Sequence, residues 1–430
     1  MTGLSFTTET TDYMKTLSLE DRKKLGQYMT PNFLGQKMAE LLTKYMPVTP
    51  GSSIKVLDPA VGTGELLRAF RQTHASVNSS FYGFDIDEGM LNTAQKNISG
   101  ITTVKKSIFD ELGTYSESFD FIIGNPPYFE IKKDLTGLTG LDFETKNEAG
   151  RLNMFALFFE YSLKLLKPNG VMVFLVPPSM NNGAYFKKTR DYILKNSSVE
   201  HLEIVRNNKH FADALTSVQI IVLRKKENPS LVAETDSKFV VDFNTLSTVK
   251  PVKTLPVIFT EKKQEILKIW EKNTSLSNAG FKVKTGNVVW NQYKNVFSEY
   301  QEGYSPLLYS KDIKDNTLTL NPALSDRRWL PTNEKCLTEP SIIVNRIVGS
   351  LSNPQLKYAL VDEKAYFTEN HVNVITFTGA PQQGLSELKE LTHMIDDSKE
   401  WLSSYLQAVT GNTQISATEL LNLIPFISKQ

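Results

Sequence analysis

The sequence predicts an α/β fold built on a doubly wound, mostly parallel sheet, followed by a C-terminal domain of mixed α+β type. Short apolar runs alternate with helical patterns through the first half of the chain, as in parallel strands linked by helices. The pattern changes near residue 245, where two closely spaced prolines indicate a linker. Because 430 residues exceed one ordinary core, we predict two domains, 1–245 and 246–430.

The individual elements follow from apolar runs and their stop signals. The predicted strands of the first domain are Ile54–Leu57, Phe81–Phe84, Ile101–Val104, Phe119–Ile123, Val171–Val176 and Ser217–Leu223. Its predicted helices are Glu65–His74, Glu88–Asn97 and Asn153–Leu166. In the second domain, the clearest runs are the strands Ile342–Val344 and Val372–Thr376 and the helix Glu387–Ile395.

Composition excludes several classes of protein. A hydrophobic share of 40% and a charged share of 22% are those of a globular chain, and no apolar run reaches the length of about 18 residues that a membrane span needs. The N-terminal residues lack a secretion signal, and the single cysteine, Cys336, excludes an intramolecular disulfide. We therefore expect a cytoplasmic protein. With five scattered histidines, we predict no metal site.

The first motif that carries chemistry is VLDPAVGTGEL, residues 56–66, which follows a strand and opens a helix. Gly62 and Gly64 let the backbone turn tightly and let a ligand approach it, because no Cβ stands in the way. The carboxylate of Asp58 can accept a hydrogen bond from an ammonium group of that ligand. In a doubly wound sheet this turn lies at the carboxyl ends of the strands, where ligands bind. A purely structural turn is the alternative interpretation.

The second motif is GFDID, residues 83–87, at the end of the next strand. Asp85 follows Gly64 by about 20 residues, the distance at which a carboxylate pairs with a ribose diol in nucleotide-binding sheets. Asp87 can also be explained as the cap of the following helix. The two motifs together predict a cofactor that contains a ribose and an ammonium group.

The third motif is FDFIIGNPPY, residues 119–128, an apolar strand that runs into two prolines and an aromatic residue. The prolines restrict the backbone and remove two N–H donors, which leaves the Asn125 side-chain oxygen and the Pro126 carbonyl as acceptors. Two rigid acceptors beside the ring of Tyr128 suit a flat group that carries an NH₂. Accepting both N–H bonds frees the nitrogen lone pair for attack, mainly in the transition state. The structural alternative is a proline turn.

These motifs, in this order, resemble those of the gamma-group DNA adenine-N6 methyltransferases of restriction-modification systems. In that group the cofactor motifs precede the catalytic motif, and a target-recognition domain comes last. GQYMTP, residues 26–31, resembles the group's N-terminal cofactor motif, although Thr30-Pro31 also suits a helix start. The resemblance covers residues 20–226 and is diffuse beyond them. It implies a Rossmann-like S-adenosylmethionine-dependent fold and transfer of a methyl group to adenine N6 in DNA.

The resemblance also assigns roles to individual residues. The predicted catalytic residues are Asn125, Pro126, Pro127, Tyr128 and Phe211, the last as a second aromatic against the target base. The predicted cofactor-binding residues are Tyr28, Met29, Thr30, Asp58, Ala60, Gly62, Gly64, Asp85, Ile86, Ser107, Ile108, Asn125 and Pro127. One departure stands out, because Ser107 and Ile108 occupy the place where the group usually has an acidic residue on the cofactor adenine.

The implied substrate is an adenine flipped out of double-stranded DNA, because a stacked base cannot reach a methyl donor. The implied partners are the DNA and, in some systems, a cognate restriction endonuclease, and we expect a monomer. Residues 246–360 carry an excess of Lys and Arg, which suits phosphate contacts. The candidates for DNA contact in the second domain are Lys282, Lys284, Trp290, Arg327, Arg328, Trp329 and Arg346.

Three other functions remain compatible with the sequence. The same Asn-Pro-Pro-Tyr motif occurs in enzymes that methylate a protein glutamine amide and in some RNA methyltransferases. A DNA-binding protein on a decayed methyltransferase fold is a second alternative, which the intact Asp58, Asp85 and Asn125 disfavour. The third is a fused endonuclease, for which Glu130-Ile131-Lys132 is the kind of acidic-then-lysine pattern that also arises by chance.

Overall fold

The structure is a computed structural model in which the chain divides into two compact units. The first comprises residues 1–241 and 258–261, and the second comprises residues 242–257 and 262–430. The described residues are 6–17, 29–49, 51–131, 143–146, 151–205, 218–229, 237–246, 257–289, 292, 297, 299–320, 328–332, 336–347, 349–350, 353–362, 365–410 and 414–428.

The first unit alternates strands and helices. Its strands are β1 (Ser53–Asp58), β2 (Asn78–Asp85), β3 (Thr102–Lys105), β4 (Phe119–Gly124), β5 (Glu130–Ile131), β6 (Leu152–Asn153), β7 (Leu166–Val176), β8 (Ser197–Val205) and β9 (Val218–Lys225). Its helices are α1 (Thr8–Thr16), α2 (Asn32–Tyr45), α3 (Glu65–Thr73), α4 (Glu88–Asn97), α5 (Leu112–Tyr115), α6 (Met154–Leu165) and α7 (Lys187–Asn196). The short strands β10 (Val240–Asp242) and β11 (Val257–Phe259) follow where the chain passes between the units.

Seven strands form one sheet in the order β3-β2-β1-β4-β7-β9-β8. The pairs from β3 to β7 are parallel, whereas β9 runs antiparallel to both β7 and β8. The chain builds outward from β1 through β2 to β3 and then returns to place β4 on the other side of β1. The strand order therefore reverses between β1 and β4, and the carboxyl ends of these strands frame a crevice where ligands bind in such sheets. The predicted doubly wound, mostly parallel sheet is confirmed.

The core of this unit lies between the sheet and helices α2 and α3. Leu42 and Phe70 from the helices and Val56, Phe121 and Val173 from the central strands are all fully buried in one cluster. Burial on both faces explains why the central strands read as continuous apolar runs. This packing holds the carboxyl ends of β1, β2 and β4 in fixed positions.

The bounds of the elements differ from the prediction where local signals are ambiguous. The Lys-Pro-Asn-Gly sequence does end the helix at Leu165, but β7 begins at once at Leu166 and pairs with Phe119 before a register shift. The elements α7 and β8 were not predicted, because their polar and apolar residues alternate irregularly. The Thr30 side chain does not cap α2, whose N-cap position is Pro31.

The described part of the second unit is a mixture of strands and helices, as predicted. Its main sheet has four antiparallel strands, which lie in the order Phe281–Thr285, Val372–Phe377, Ser341–Asn345 and Tyr358–Val361. The strands are β12 (Asn273–Thr274), β13 (Phe281–Thr285), β14 (Tyr304–Leu308), β15 (Ile313–Lys314), β16 (Thr317–Leu318), β17 (Trp329–Pro331), β18 (Ser341–Asn345), β19 (Gly349–Ser350), β20 (Asn353–Pro354), β21 (Tyr358–Val361), β22 (Phe367–Thr368), β23 (Val372–Phe377) and β24 (Ile427–Ser428). The helices are α8 (Phe243–Leu246), α9 (Lys263–Lys272), α10 (Pro381–Asp397), α11 (Lys399–Val409) and α12 (Ala417–Asn422).

The three elements predicted in the second domain are present with longer bounds. Ile342–Val344 lies within β18, Val372–Thr376 lies within β23, and Glu387–Ile395 lies within α10. Within the described ranges, no helix combines the length and the apolar character that crossing a membrane requires.

Candidate active site

A cavity of about 800 Å³ opens in the first unit at the carboxyl ends of β1, β2 and β4. It lies at the crevice that the reversal of strand order creates. Eleven of the residues predicted from the sequence line it together: Met29, Thr30, Asp58, Ala60, Gly62, Asp85, Ile86, Ser107, Ile108, Asn125 and Pro127. The fold therefore gathers side chains from five separate segments of the sequence around one space.

The loop after β1 forms one wall of the cavity. Gly62 has a φ of 51°, and a Cβ there would meet no atom closer than the Met90 sulfur at 4.0 Å. The loop at Gly62 is therefore bare on its cavity side. Asp58 is 1% exposed, and its carboxylate accepts a hydrogen bond of 3.1 Å from the Ala60 N–H. Burial raises the pKa of Asp58 to about 8, because the low-dielectric site disfavours its charged form.

Asp85 ends β2 and faces the same cavity. One carboxylate oxygen accepts from the Gly62 N–H and the other from the Asp87 N–H, both at 2.9 Å. Burial raises the pKa of Asp85 above its usual range, while these two N–H donors act in the opposite direction. The Asp85 carboxylate thus joins the loops after β1 and β2. Ile86 beside it is 67% exposed, an apolar side chain at the cavity surface.

Gly64 belongs to the same motif but does not line the cavity. Its φ is 85°, and an added Cβ would lie 2.9 Å from Ile98 Cδ1 and 3.2 Å from Ala94 Cβ. Gly64 therefore lets the start of α3 pack closely against α4. The geometry gives this glycine a packing function, whereas Gly62 faces the ligand space.

Ser107 and Ile108, which stand where the resemblance leads one to expect an acidic residue, also line the cavity. Ser107 caps a short 3-10 helix, Ile108–Asp110, by accepting from the Phe109 N–H at 3.4 Å. Ile108 is 1% exposed and lines the cavity with an apolar surface. An adenine ring placed there would meet a packing surface and the Ser107 hydroxyl rather than a carboxylate.

The motif after β4 forms a hydrogen-bonded set around Asn125. The Asn125 Nδ2 donates to the Thr30 hydroxyl at 3.1 Å, and the Tyr128 hydroxyl donates to Asn125 Oδ1. The Tyr128 hydroxyl also lies 2.7 Å from the backbone oxygen of Leu175 on the neighbouring strand. Asn125 and Pro127 line the cavity, whereas Pro126 is buried and Tyr128 is not among the lining residues. The Tyr128 ring lies edge-to-face against Phe155 at 6.2 Å.

Two predicted residues, Tyr28 and Phe211, lie outside the described residues. Thirteen further residues line the cavity without having been assigned to it from the sequence, among them Glu65 and Asp87, the second of which was expected only as a helix cap. Glu65 is 4% exposed and is held by Arg68 at 2.7 Å, and Asp87 accepts from the N–H groups of Gly89 and Met90 as the cap of α4. Both face the cavity as well. The position of Glu65 directly after Gly64 was a signal that could have found it.

The structure corrects one expectation in the second unit. Arg328, expected to contact DNA, is 3% exposed and forms a two-point salt bridge with the buried Asp312, at 2.9 and 3.0 Å. A guanidinium that is buried and paired in this way is part of the core. Lys282 and Lys284 are exposed, and Arg346 donates to the Asn370 backbone oxygen at 2.9 Å. Trp329 is half-buried in β17, and Trp290 and Arg327 lie outside the described residues.

Comparison with known proteins found a family model that matches part of the chain. Residues 66–211, which include the loop after β4, match the model of the Eco57I restriction-modification methylase family. The chain resembles a restriction-modification methyltransferase. The predicted resemblance is confirmed at that level.

Three relatives extend the similarity to the restriction-modification methyltransferases. The type II methyltransferase M.PstI of Providencia stuartii is 26% identical over 93% of this chain and 86% of the relative. The modification methylase CviBIII of Paramecium bursaria Chlorella virus NC1A is 23% identical over 98% of both. The type II methyltransferase M.AccI of Acinetobacter calcoaceticus is 28% identical over 49% of this chain, which spans only 39% of that relative.

The methylase family implies S-adenosylmethionine as cofactor, and the residues of the cavity fit it. The bare backbone at Gly62 leaves room for a ligand, and the buried Asp58 suits an ammonium group. Asp85, held by two backbone N–H groups, suits a ribose diol, and Ile86 and Ile108 offer apolar surfaces to an adenine. When bound, the cofactor supplies an electrophilic methyl group.

Proposed function

We propose that this protein is a site-specific DNA methyltransferase that methylates the exocyclic N6 of adenine after flipping the base out of the duplex. One observation carries the proposal: the Asn-Pro-Pro-Tyr loop ends β4 beside the cofactor cavity, with Asn125 and Pro127 among the lining residues. The names of the full-length relatives, a type II methyltransferase and a modification methylase, support a DNA substrate.

The chemistry of this loop depends on hydrogen-bond acceptors. The amino group of adenine is a poor nucleophile because its lone pair is delocalised into the ring. The Asn125 side-chain oxygen and the Pro126 carbonyl oxygen accept hydrogen bonds from its two N–H groups and draw the nitrogen toward tetrahedral geometry, an effect strongest in the transition state. A carbonyl oxygen has two lone pairs, so the bond from the Tyr128 hydroxyl is compatible with a second donor at Asn125.

The flipped base needs a surface to replace its lost stacking. Tyr128 and Phe211 are the aromatic residues that we assign to this task, and stacking on such rings offsets about 1–3 kcal/mol per base. The Tyr128 hydroxyl has two acceptors within reach of its one proton, Asn125 Oδ1 and the Leu175 backbone oxygen, and this restrains the ring. Stacking then holds the amino group at attack distance.

We assign catalysis and DNA recognition to different domains. Residues 1–245 carry methyl transfer, and residues 246–430 carry recognition of the DNA sequence, because the cofactor cavity and the Asn-Pro-Pro-Tyr loop lie in the first unit. The exposed Lys282 and Lys284 of β13 are our candidates for DNA contact in the second unit. The partners that we infer are double-stranded DNA and a cognate restriction endonuclease, with the enzyme acting as a monomer.

The deciding experiment measures transfer of labelled methyl from S-adenosylmethionine to unmethylated duplex DNA, RNA and a protein extract, followed by nucleoside analysis. We expect label only in DNA and only as N6-methyldeoxyadenosine. Label in RNA or in a protein glutamine would overturn the proposal in favour of those substrates. Cofactor binding without transfer to any of the three would point to a decayed enzyme.

A further inference from the structure

Helix α1 contacts the first residue of α3, directly after the loop that follows β1, on one side of the cofactor cavity. The backbone N–H and the hydroxyl of Thr7, the N-cap of α1, both donate to the same Glu65 carboxylate oxygen at 2.9 Å. The other oxygen of Glu65 accepts from Arg68 at 2.7 Å. Glu65 lines the cavity, so the start of α1 fixes a carboxylate that faces the ligand space.

The same helix touches the loop that follows β2, on the other side. The Tyr13 hydroxyl donates to an Asp87 carboxylate oxygen at 3.0 Å, and the Tyr13 ring lies against Gly89 at the start of α4. Asp87 lines the cavity, and its backbone N–H donates to Asp85. Tyr13 is therefore linked through Asp87 to the carboxylate that we assign to the ribose.

A third contact joins the middle of α1 to the end of α4 and, through it, to the loop that follows β1. The Asn97 Nδ2, at the end of α4, donates to the hydroxyl of Thr10 at 3.1 Å and to the backbone oxygen of Thr63 at 2.8 Å. Thr10 is fully buried, so this face of α1 is packed rather than loosely attached. Helix α1 is thus linked to both of the segments that the hydrogen bond from the Gly62 N–H to the Asp85 carboxylate also connects.

We propose that α1 is part of the cofactor site and that Thr7 and Tyr13 are positioning residues for S-adenosylmethionine. Neither residue lines the cavity. They hold the carboxylates of Glu65 and Asp87, and through Asp87 also that of Asp85. The side chains that line the cavity are therefore already in position when the ligand binds. Pre-ordering a site in this way strengthens binding, because less freedom is lost when the ligand arrives. The inference rests on the proposed function only for the identity of the ligand.

The test is calorimetric titration of S-adenosylmethionine and S-adenosylhomocysteine into the full-length protein and the variants Tyr13→Phe and Thr7→Val. We expect the Kd to rise about 3- to 10-fold in each, because Tyr13→Phe removes the bond to Asp87 and Thr7→Val removes the hydroxyl bonds to Glu65 and to the Thr10 N–H while keeping the backbone bond to Glu65. The KM for the cofactor should rise in parallel while kcat at saturating cofactor stays unchanged. Lys15→Ala is the matched control on the same helix, because Lys15 pairs with the exposed Asp12 and leaves both loops untouched.

The two hypotheses fail in different ways. An unchanged Kd in either variant would overturn the role of α1, and so would a lower melting temperature without a change in Kd. Wild-type protein that binds the cofactor but methylates no DNA would overturn the proposed function, yet the comparison of Kd values would still test α1.

Discussion

The Tyr128 hydroxyl donates a hydrogen bond to the side-chain oxygen of Asn125, three residues before it in the same loop. The Asn125 amide is held from its other end as well, because its nitrogen donates to Thr30. Its oxygen is therefore fixed in direction before a substrate arrives. Preorganised acceptors of this kind need no rearrangement at the moment of reaction.

Replacing Tyr128 by Phe should separate positioning of Asn125 from stacking on the base. Tyr128→Phe keeps the ring but loses the bond to Asn125, so kcat should fall about 10-fold, equivalent to about 1.4 kcal/mol. Tyr128→Ala should lose a further factor of about 10 or more, because the stacking surface is gone. Single-turnover methylation of a duplex measures both losses.

Fluorescence of 2-aminopurine at the target position reports stacking independently. The signal of Tyr128→Phe should match that of the wild type, and the signal of Tyr128→Ala should differ. Tyr115→Phe, which removes a hydroxyl from an aromatic cluster outside the cavity, is the control. Equal methylation rates for Tyr128→Phe and the wild type would show that the hydroxyl does not position Asn125.

The raised pKa of Asp58 predicts that cofactor binding depends on pH. In the empty site the carboxyl is mostly protonated below its pKa of about 8, whereas a bound ammonium group favours the ionised form. Affinity should therefore rise as the pH is raised from about 6 to about 8, with release of a proton on binding. Titration calorimetry in buffers of different ionisation enthalpy counts that proton.

Two substitutions test whether Asp58 causes the pH dependence of cofactor binding and releases the proton. Asp58→Asn should weaken binding and abolish the proton release, whereas the exposed Asp191→Asn should change neither.

The raised pKa of Asp58 also predicts how the stability of the protein changes with pH. Because folded Asp58 holds its proton more tightly than the unfolded chain, the free energy of unfolding should fall between about pH 4 and pH 8. Asp58→Asn should flatten that slope, and a slope that stays would contradict the assignment.

Substituting Gly64 and Gly51 by alanine separates two effects on the free energy of unfolding: backbone strain at a positive φ and the steric clash of an added Cβ. Both have a φ of 85°, but an added Cβ at Gly51 meets nothing within 4 Å, whereas at Gly64 it lies 2.9 Å from Ile98. Gly51→Ala should cost about 1–2 kcal/mol from the backbone alone. Gly64→Ala should cost more, since the contact between α3 and α4 must open as well. Chemical denaturation measures both, with Gly113→Ala as an unstrained control.

Lys282 and Lys284 should contribute to DNA binding through phosphate contacts. They alternate with the inward-facing Phe281 and Val283 on β13, an edge strand of the four-stranded sheet, and are both exposed. Replacing both by Ala should reduce the slope of log K against log salt by about 2, because about 0.9 counterions are released per phosphate contact. Lys389→Ala, on α10, is the control. An unchanged slope would mean that these lysines only protect the sheet edge.

The sequence by itself determined the parallel strands of the sheet, the cofactor motifs and the Asn-Pro-Pro-Tyr loop. Apolar runs follow the period of the backbone, and Gly62, Pro126 and Pro127 act on their own φ angles, so these features can be read from a few neighbouring residues. The same local character explains why eleven predicted residues line one cavity. Parallel strands bring their carboxyl ends to one edge whatever the sequence between them.

The tertiary structure alone decided which side chains hold the site in place. Thr30 reaches Asn125 across 95 positions, and Thr7 reaches Glu65 across 58. Nothing periodic in the sequence marks such pairs, because each depends on how separate elements pack. For the same reason, the residues next to Arg328 in the sequence led us to expect an exposed side chain, whereas the fold buries it against Asp312. Local sterics shape the loops of this protein, and long-range packing determines what those loops contact.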